Sequence, residues 1–155
     1  MIRYLRQRDN YNCGPVAIIN ALKFFGERAT QKDISRIAKI VNCKSPHGTS
    51  PKNMNKGINK IFKCEKMEDP TMRDIDQILL NGNPVILNYL IQENGERWGH
   101  YIFIPRRETD GFIIINENKN RTVDLVNRTT ISKWLKLKKN KIHTYPRIWI
   151  LKGVK

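Results

Sequence analysis

The stretch from Cys13 to Gly26, Cys-Gly-Pro-Val-Ala-Ile-Ile-Asn-Ala-Leu-Lys-Phe-Phe-Gly, constrains the fold more than any other part of the chain. Its apolar side chains fall on nearly every side of a 3.6-residue spiral. A helix there has no face to give to water and must lie at the centre of a domain. Pro15 fits a helix only in its first turn, where the missing amide hydrogen is not needed, and Gly26 supplies the stop. The spacing therefore predicts a buried helix whose N-terminus carries Cys13.

Around that helix the first half of the chain reads as helical. Thr30 to Asp33 lead into Ile34, Ile37, Ala38 and Ile40, an amphipathic spacing behind a cap. Ser50 and Pro51 start a third helix carrying Met54, Ile58 and Phe62. A fourth runs from Thr71 to Leu80, with Ile75, Ile78 and Leu79 on one face, and ends at Asn81-Gly82. After Pro84 the character changes to β-rich runs, Val85 to Leu90, His100 to Ile104, Phe112 to Ile115 and Arg147 to Leu151, with Asp110-Gly111 as a hairpin signal. A short helix over Ile131 to Leu137, introduced by Thr129-Thr130, interrupts them. Helices first and strands second imply an α+β fold with N-terminal helices packed on a C-terminal antiparallel sheet. The 155 residues suit a single domain, 1–155, able to bury its core without disulfides or a structural metal.

Three cysteines, Cys13, Cys43 and Cys64, without a Cys-x-x-Cys pair, point to free thiols in a reducing compartment, and a cytoplasmic location is expected. The opening residues alternate charge with apolar side chains, which fits neither a secretory signal nor a membrane anchor, and no apolar run is long enough to span a bilayer. The formal charge of +15 creates a field that draws in acidic peptides or nucleic acid. Lys, Ile and Asn share A- and T-rich codons, so part of that charge reflects composition rather than binding. A peptide partner is favoured over nucleic acid.

The chemistry concentrates on four residues. A thiol attacks a carbonyl well only as thiolate, and the free amides and dipole of a helix N-terminus favour that anion, so Cys13 is expected to have a depressed pKa and to act as nucleophile. Gly14 is expected to leave room for a substrate backbone. Gln7, six residues before Cys13, can place its NH2 group beside the Cys13 amide to form an oxyanion hole. Among the three histidines, His47 and His143 sit in polar loops, whereas His100 heads a strand rigid enough to fix an imidazole as base. Asn116, at the end of the neighbouring hairpin strand, is chosen to orient the ring by accepting its N–H, with Asn118 in reserve and Glu117 on the opposite face. No cofactor is expected. Cys43, His47 and Cys64 lack the paired spacing of a zinc site, so no metal is expected either. Trp98 beside Gly99 and His100 is a candidate cleft residue, and the Lys-rich run from Lys133 to Lys141 reads as a solvated helix face with a basic end.

At these residues the sequence resembles the papain-like double-glycine leader peptidases, peptidase family C39, found in transporters that export bacteriocins and as stand-alone relatives. The pattern of glutamine, short spacer, Cys-Gly-Pro and an apolar helix ending in Gly is similar to Gln7 through Gly26. Gly-His followed by aliphatic and aromatic residues is similar to Gly99 through Phe103. The resemblance covers nearly the whole chain and implies a papain-like fold and a thiol protease that cleaves after small residues such as Gly-Gly. The chain departs from the family in two places. Asn116-Glu117-Asn118 stands where many members have Asp-Pro, and Val16 replaces a common alanine. Two other readings remain at this point: an acyl transferase using the same residues, and an inactive basic module that binds nucleic acid or acidic peptide.

Overall fold

The structure, a computed structural model, describes residues 1–117, 120–137 and 145–155. The apolar run forms helix α1, Cys13–Phe24, and every residue from Cys13 to Leu22 is buried. Gly26 follows at φ +88°, the left-handed geometry that glycine adopts at no cost when it ends a helix. The polar starts of the other helices behave as their sequences dictate. Thr30 and Asp33 form a capping box over the 3-10 turn Gln31–Asp33 that leads into α2, Ile34–Ile40. Ser50 Oγ accepts from the Asn53 amide at 3.2 Å to open α3, Pro51–Ile61. Thr71 and Asp74 form a second capping box on α4, Met72–Leu80. The last helix, α5, Arg128–Lys136, is capped by Asn127, whose Oδ1 accepts from the Thr130 amide at 2.9 Å, and not by the two threonines that follow it.

Six strands form one sheet: β1, Phe62–Glu68; β2, Val85–Glu93; β3, Glu96–Glu108; β4, Gly111–Ile115; β5, Val123–Val126; and β6, Arg147–Val154. Their order is β1-β6-β2-β3-β4-β5, and all neighbours are antiparallel. The α+β expectation is met, with two differences. Strand β1 lies within the half that reads as helical, and Phe62 begins it rather than ending α3; β5 is likewise absent from the sequence reading. Both are the edge strands of the sheet and carry mostly exposed or half-exposed side chains. Edge strands of this kind lack the apolar density that marks central ones.

The second difference is that helices cover both faces of the sheet. Ile86, Tyr101, Phe103, Ile115 and Trp149 point into a core shared with α1, α2 and α3. Val85, Leu87, Ile102, Ile104 and Ile114 point to the opposite side, where α4 and α5 pack. Successive side chains of a strand face opposite ways, so β2, β3 and β4 need apolar residues at every position, which is why they read as unbroken runs.

The β4–β5 pair fixes the place of Asn116, because β4 ends one residue before it and the Asn116 amide donates to Thr122 O at 2.9 Å. Gly111 opens β4 against the backbone of Val126, and a Cβ there would overlap the Val126 carbonyl oxygen. Gly111→Ala is therefore expected to cost about 1–3 kcal/mol through forced backbone displacement. A urea midpoint equal to that of the wild type would show that the pair tolerates the methyl group.

Candidate active site

A cavity of about 600 Å³ opens at the N-terminus of α1, and Gln7, Cys13, His100 and Asn116 all line it. Each arrives from a different element. Cys13 is the first residue of α1. The segment before it is folded by Asp9, whose Oδ1 accepts from the amides of Tyr11 at 3.0 Å and Asn12 at 2.8 Å, while Oδ2 accepts from Asn12 Nδ2 at 2.7 Å. Partial burial works to raise the Asp9 carboxyl, but the hydrogen bonds from Asn12 and Tyr11 outweigh it and hold the group below its ordinary value. Further upstream, the fully buried Asn20 of α1 takes the Leu5 amide on Oδ1 at 2.7 Å and donates Nδ2 to Leu5 O at 2.9 Å. This pins the N-terminal segment to the helix two residues from Gln7.

His100 stands inside β3, paired with Tyr89 of β2, rather than at the head of a strand. The Tyr89 ring meets the imidazole edge-on with centroids 5.7 Å apart. On its other side His100 Nε2 lies 3.1 Å from the backbone carbonyl of Asn116. A carbonyl only accepts, so Nε2 carries the hydrogen and Nδ1 is left as the basic nitrogen.

This contact corrects the expectation for Asn116. The residue does meet the ring, but through its main chain. Its side chain is turned to Gln7, accepting the Gln7 amide on Oδ1 at 3.0 Å and donating Nδ2 to Gln7 Oε1 at 3.1 Å. The reason is conformational. Asn116 adopts φ +66°, a left-handed conformation that asparagine tolerates better than most residues, and the strand alternation stops there. Glu117 consequently does not turn to the opposite face, and it lines the same cavity. Asn118 and His143 lie outside the described residues, as does the end of the Lys-rich run.

The electrostatics also differ from the sequence expectation. Burial pushes the Cys13 thiol up to about 11, against donation from the amides of Tyr101 and Gly14. Burial likewise brings the His100 imidazole down to about 4, opposed only in part by the Asn116 carbonyl. The depressed thiol pKa expected of a helix N-terminus does not arise. Desolvation prevails, because removing a charge from water shifts a buried group by several units, whereas a helix end contributes at most about 2 kcal/mol. Gly14 is a second correction. A Cβ there would meet Met54 Sδ at 3.2 Å and Thr49 Cβ at 3.5 Å, so its missing side chain makes room for core packing rather than for a substrate.

Trp98 lines the cavity and is 41% exposed. His47 is exposed on the loop closed by Lys44 and Gly48 and borders the same cavity. Cys43 donates toward Tyr11 O and Cys64 toward Asn59, and no group of three or more metal-ligating side chains occurs among the described residues. The lining residues missed in the sequence include three acidic ones, Asp9, Glu93 and Glu96, which join Glu117. Glu93 and Glu96 face each other across the tight Asn94-Gly95 turn between β2 and β3, and that dipeptide is itself a hairpin signal in the sequence.

No family model matches the sequence, and no curated protein matches it. Solved structures do. The peptidase domain of Streptococcus ComA, a bi-functional ABC transporter involved in a quorum sensing pathway, superposes with a TM-score of 0.70 at 14% identity, over 97% of this chain and 98% of that one. A protein described as a C39-like peptidase from Bacillus anthracis superposes with a TM-score of 0.61 at 10% identity, over 99% of this chain and 96% of the other. The chain has the fold of a C39 peptidase domain. At such identities the likeness is one of fold alone.

In this C39-like fold the thiol and imidazole rest neutral near pH 7, which fixes two pH dependences. His100 stays unprotonated, and so available as a base, down to about pH 4 rather than its ordinary 6.5. The rate of Cys13 alkylation by iodoacetamide is expected to climb steadily from pH 7 toward about 11. A rate that is already flat between pH 5 and 8 would mean that proton transfer to His100 outweighs desolvation and that the pair rests as thiolate and imidazolium.

Proposed function

We propose that the chain is a cysteine peptidase in which Cys13 is the nucleophile and His100 the base, acting as one domain. The observation that carries this reading is the shared cavity: a thiol at a helix N-terminus and an imidazole with Nδ1 left basic open onto the same space. In the first step His100 Nδ1 takes the thiol proton as the sulfur bonds to the peptide carbonyl carbon. The oxygen becomes an anion and is held by the Cys13 amide, which has no partner within the helix, and by the Gln7 NH2 group. The intermediate collapses by breaking the C–N bond, and the imidazolium returns its proton to the leaving amine. Water, deprotonated by His100, then attacks the thioester and releases the acid and the thiol. No metal or cofactor enters any step.

The substrate is a peptide, and Gly-Gly sequences remain the first to test because of the resemblance. Its charge follows from the cavity rather than from the whole molecule. Asp9, Glu93 and Glu96 line the cleft, and among the described residues none that line it is Lys or Arg. At physiological salt a charge is screened beyond about 8 Å, so a bound peptide responds to these carboxylates more than to the distant surface. We therefore expect cationic residues beside the scissile bond, whereas the net charge of +15 taken alone suggests acidic peptides. The cleft likewise disfavours nucleic acid as its ligand. The free thiols Cys13, Cys43 and Cys64 support a reducing, cytoplasmic setting. No helix among the described residues is long and apolar enough to cross a membrane.

Cys13→Ala is expected to abolish cleavage of Gly-Gly-containing peptides, and Gln7→Ala to lower kcat about ten- to a thousand-fold without changing the urea midpoint. Activity retained in Cys13→Ala would end the proposal. In a matched pair of peptides, Lys beside the scissile bond is expected to give a kcat/KM about five- to tenfold above that for Glu, with the gap narrowing as salt rises. A preference for Glu would mean that the surface field governs selection.

A further inference from the structure

We propose that the Asn116 side chain is a positioning residue for Gln7, holding the glutamine so that its NH2 group, and not its carbonyl oxygen, faces the oxyanion site. The proposal rests on the peptidase reading above. It assigns to Asn116 a function distinct from orienting the histidine.

A side-chain amide is asymmetric in chemistry but not in shape. One end of a glutamine donates and the other accepts, and the two have nearly the same size, so the group can flip unless its surroundings tell the ends apart. An oxyanion hole needs the donating end. A flip would put a second oxygen against the developing negative charge and convert a stabilising contact into a repulsive one.

Asn116 makes that distinction. Its Oδ1 accepts the Gln7 main-chain amide at 3.0 Å, and a main-chain N–H can only donate, so the orientation of Asn116 itself is fixed. Its Nδ2 must then meet an acceptor, and the acceptor is Gln7 Oε1 at 3.1 Å. With Oε1 committed, the Gln7 NH2 group is turned the other way. The Asp9 carboxylate, which can only accept, also takes a hydrogen bond from the Gln7 side chain and so engages its NH2 end rather than Oε1. Asn116 is only 4% exposed, so little water competes for these bonds.

One residue thereby serves two partners with two different parts. The main-chain carbonyl takes the His100 ring, and the side chain takes Gln7. Both depend on φ +66°, which asparagine and glycine accept readily. Aspartate could still accept the Gln7 main-chain amide, but it would set oxygen against Gln7 Oε1. The glutamine would then turn its NH2 toward the carboxylate and away from the cleft.

Asn116→Gly separates the two functions, because glycine keeps the left-handed backbone and its carbonyl while removing only the side chain. It is expected to lower kcat about ten- to a hundredfold on a Gly-Gly peptide with KM changed less than about threefold. The acid limb of the pH–rate profile should not move. When Gln7 is already alanine, Asn116→Gly should cost less than about threefold more, since the residue it positions is gone. Wild-type kcat in Asn116→Gly, a loss that multiplies in full with Gln7→Ala, or a displaced acid limb would overturn the assignment. The Gln7 side-chain NH2 resonances, identified by their absence in Gln7→Ala, read the contact without turnover. They should shift and draw together in Asn116→Gly, and resonances that stay in place would refute the positioning whatever the activity. A wild-type protein that cleaves no peptide, with Gln7 resonances that do shift, would instead refute the peptidase reading and leave the contact standing.

Discussion

A helix with no polar face can exist in water only if something covers it all round, and the structure is organised by that requirement. Helix α1 is buried from Cys13 to Leu22, with the sheet on one side and α2 and α3 on others. Burial on this scale places the helix rigidly, so its first residue becomes a fixed point on the rim of the cavity. The one polar side chain the helix must bury, Asn20, is satisfied by the backbone of Leu5. An unpaired buried amide is costly, and meeting that demand lays the N-terminal segment along α1 and carries Gln7 toward the site. Core packing and site assembly are thus consequences of one constraint.

The same burial governs the chemistry. A cysteine at a helix N-terminus suggests a stabilised thiolate, yet desolvation acts on the sulfur and the imidazole in the direction that keeps both neutral. In the proposed mechanism the two become charged together, when the proton passes from one to the other and each new charge is met by its partner. Charge at larger scale follows a similar logic of distance. The molecule is strongly basic, whereas the cavity lining carries carboxylates and, among the described residues, no Lys or Arg. Over a few ångströms the local groups prevail, because salt screens the rest.

Asn116 shows how a backbone conformation can be part of a site. Its left-handed φ ends β4, turns the carbonyl toward His100, and leaves the side chain free to engage Gln7, 109 residues away in sequence. A residue that continued the strand would present neither group in this way. The hydrogen bond to Thr122 and the β4–β5 register hold the turn in place.

Much of this is legible in the sequence. The buried helix follows from its apolar circumference, the starts of α2, α3 and α4 from their polar caps, and the central strands from runs that need apolar residues on both sides. The pairing of a helix-terminal Cys13 with His100 and Gln7 in one cavity also follows, because each lies beside an element with a clear local signal. What escapes is decided by partners distant in the chain. Strands β1 and β5 are sheet edges whose half-exposed residues carry little pattern of their own, and only pairing with β6 and β4 makes them strands. The sequence can select Asn116, but alternation cannot foresee the left-handed turn that exchanges the work of its side chain and its carbonyl. Nor can it foresee that burial outweighs the helix dipole at Cys13. Local sequence determines which elements form and which reactive groups they carry; the depth at which those groups lie, and which atoms meet there, depend on how the elements pack, and that is a property of the tertiary structure alone.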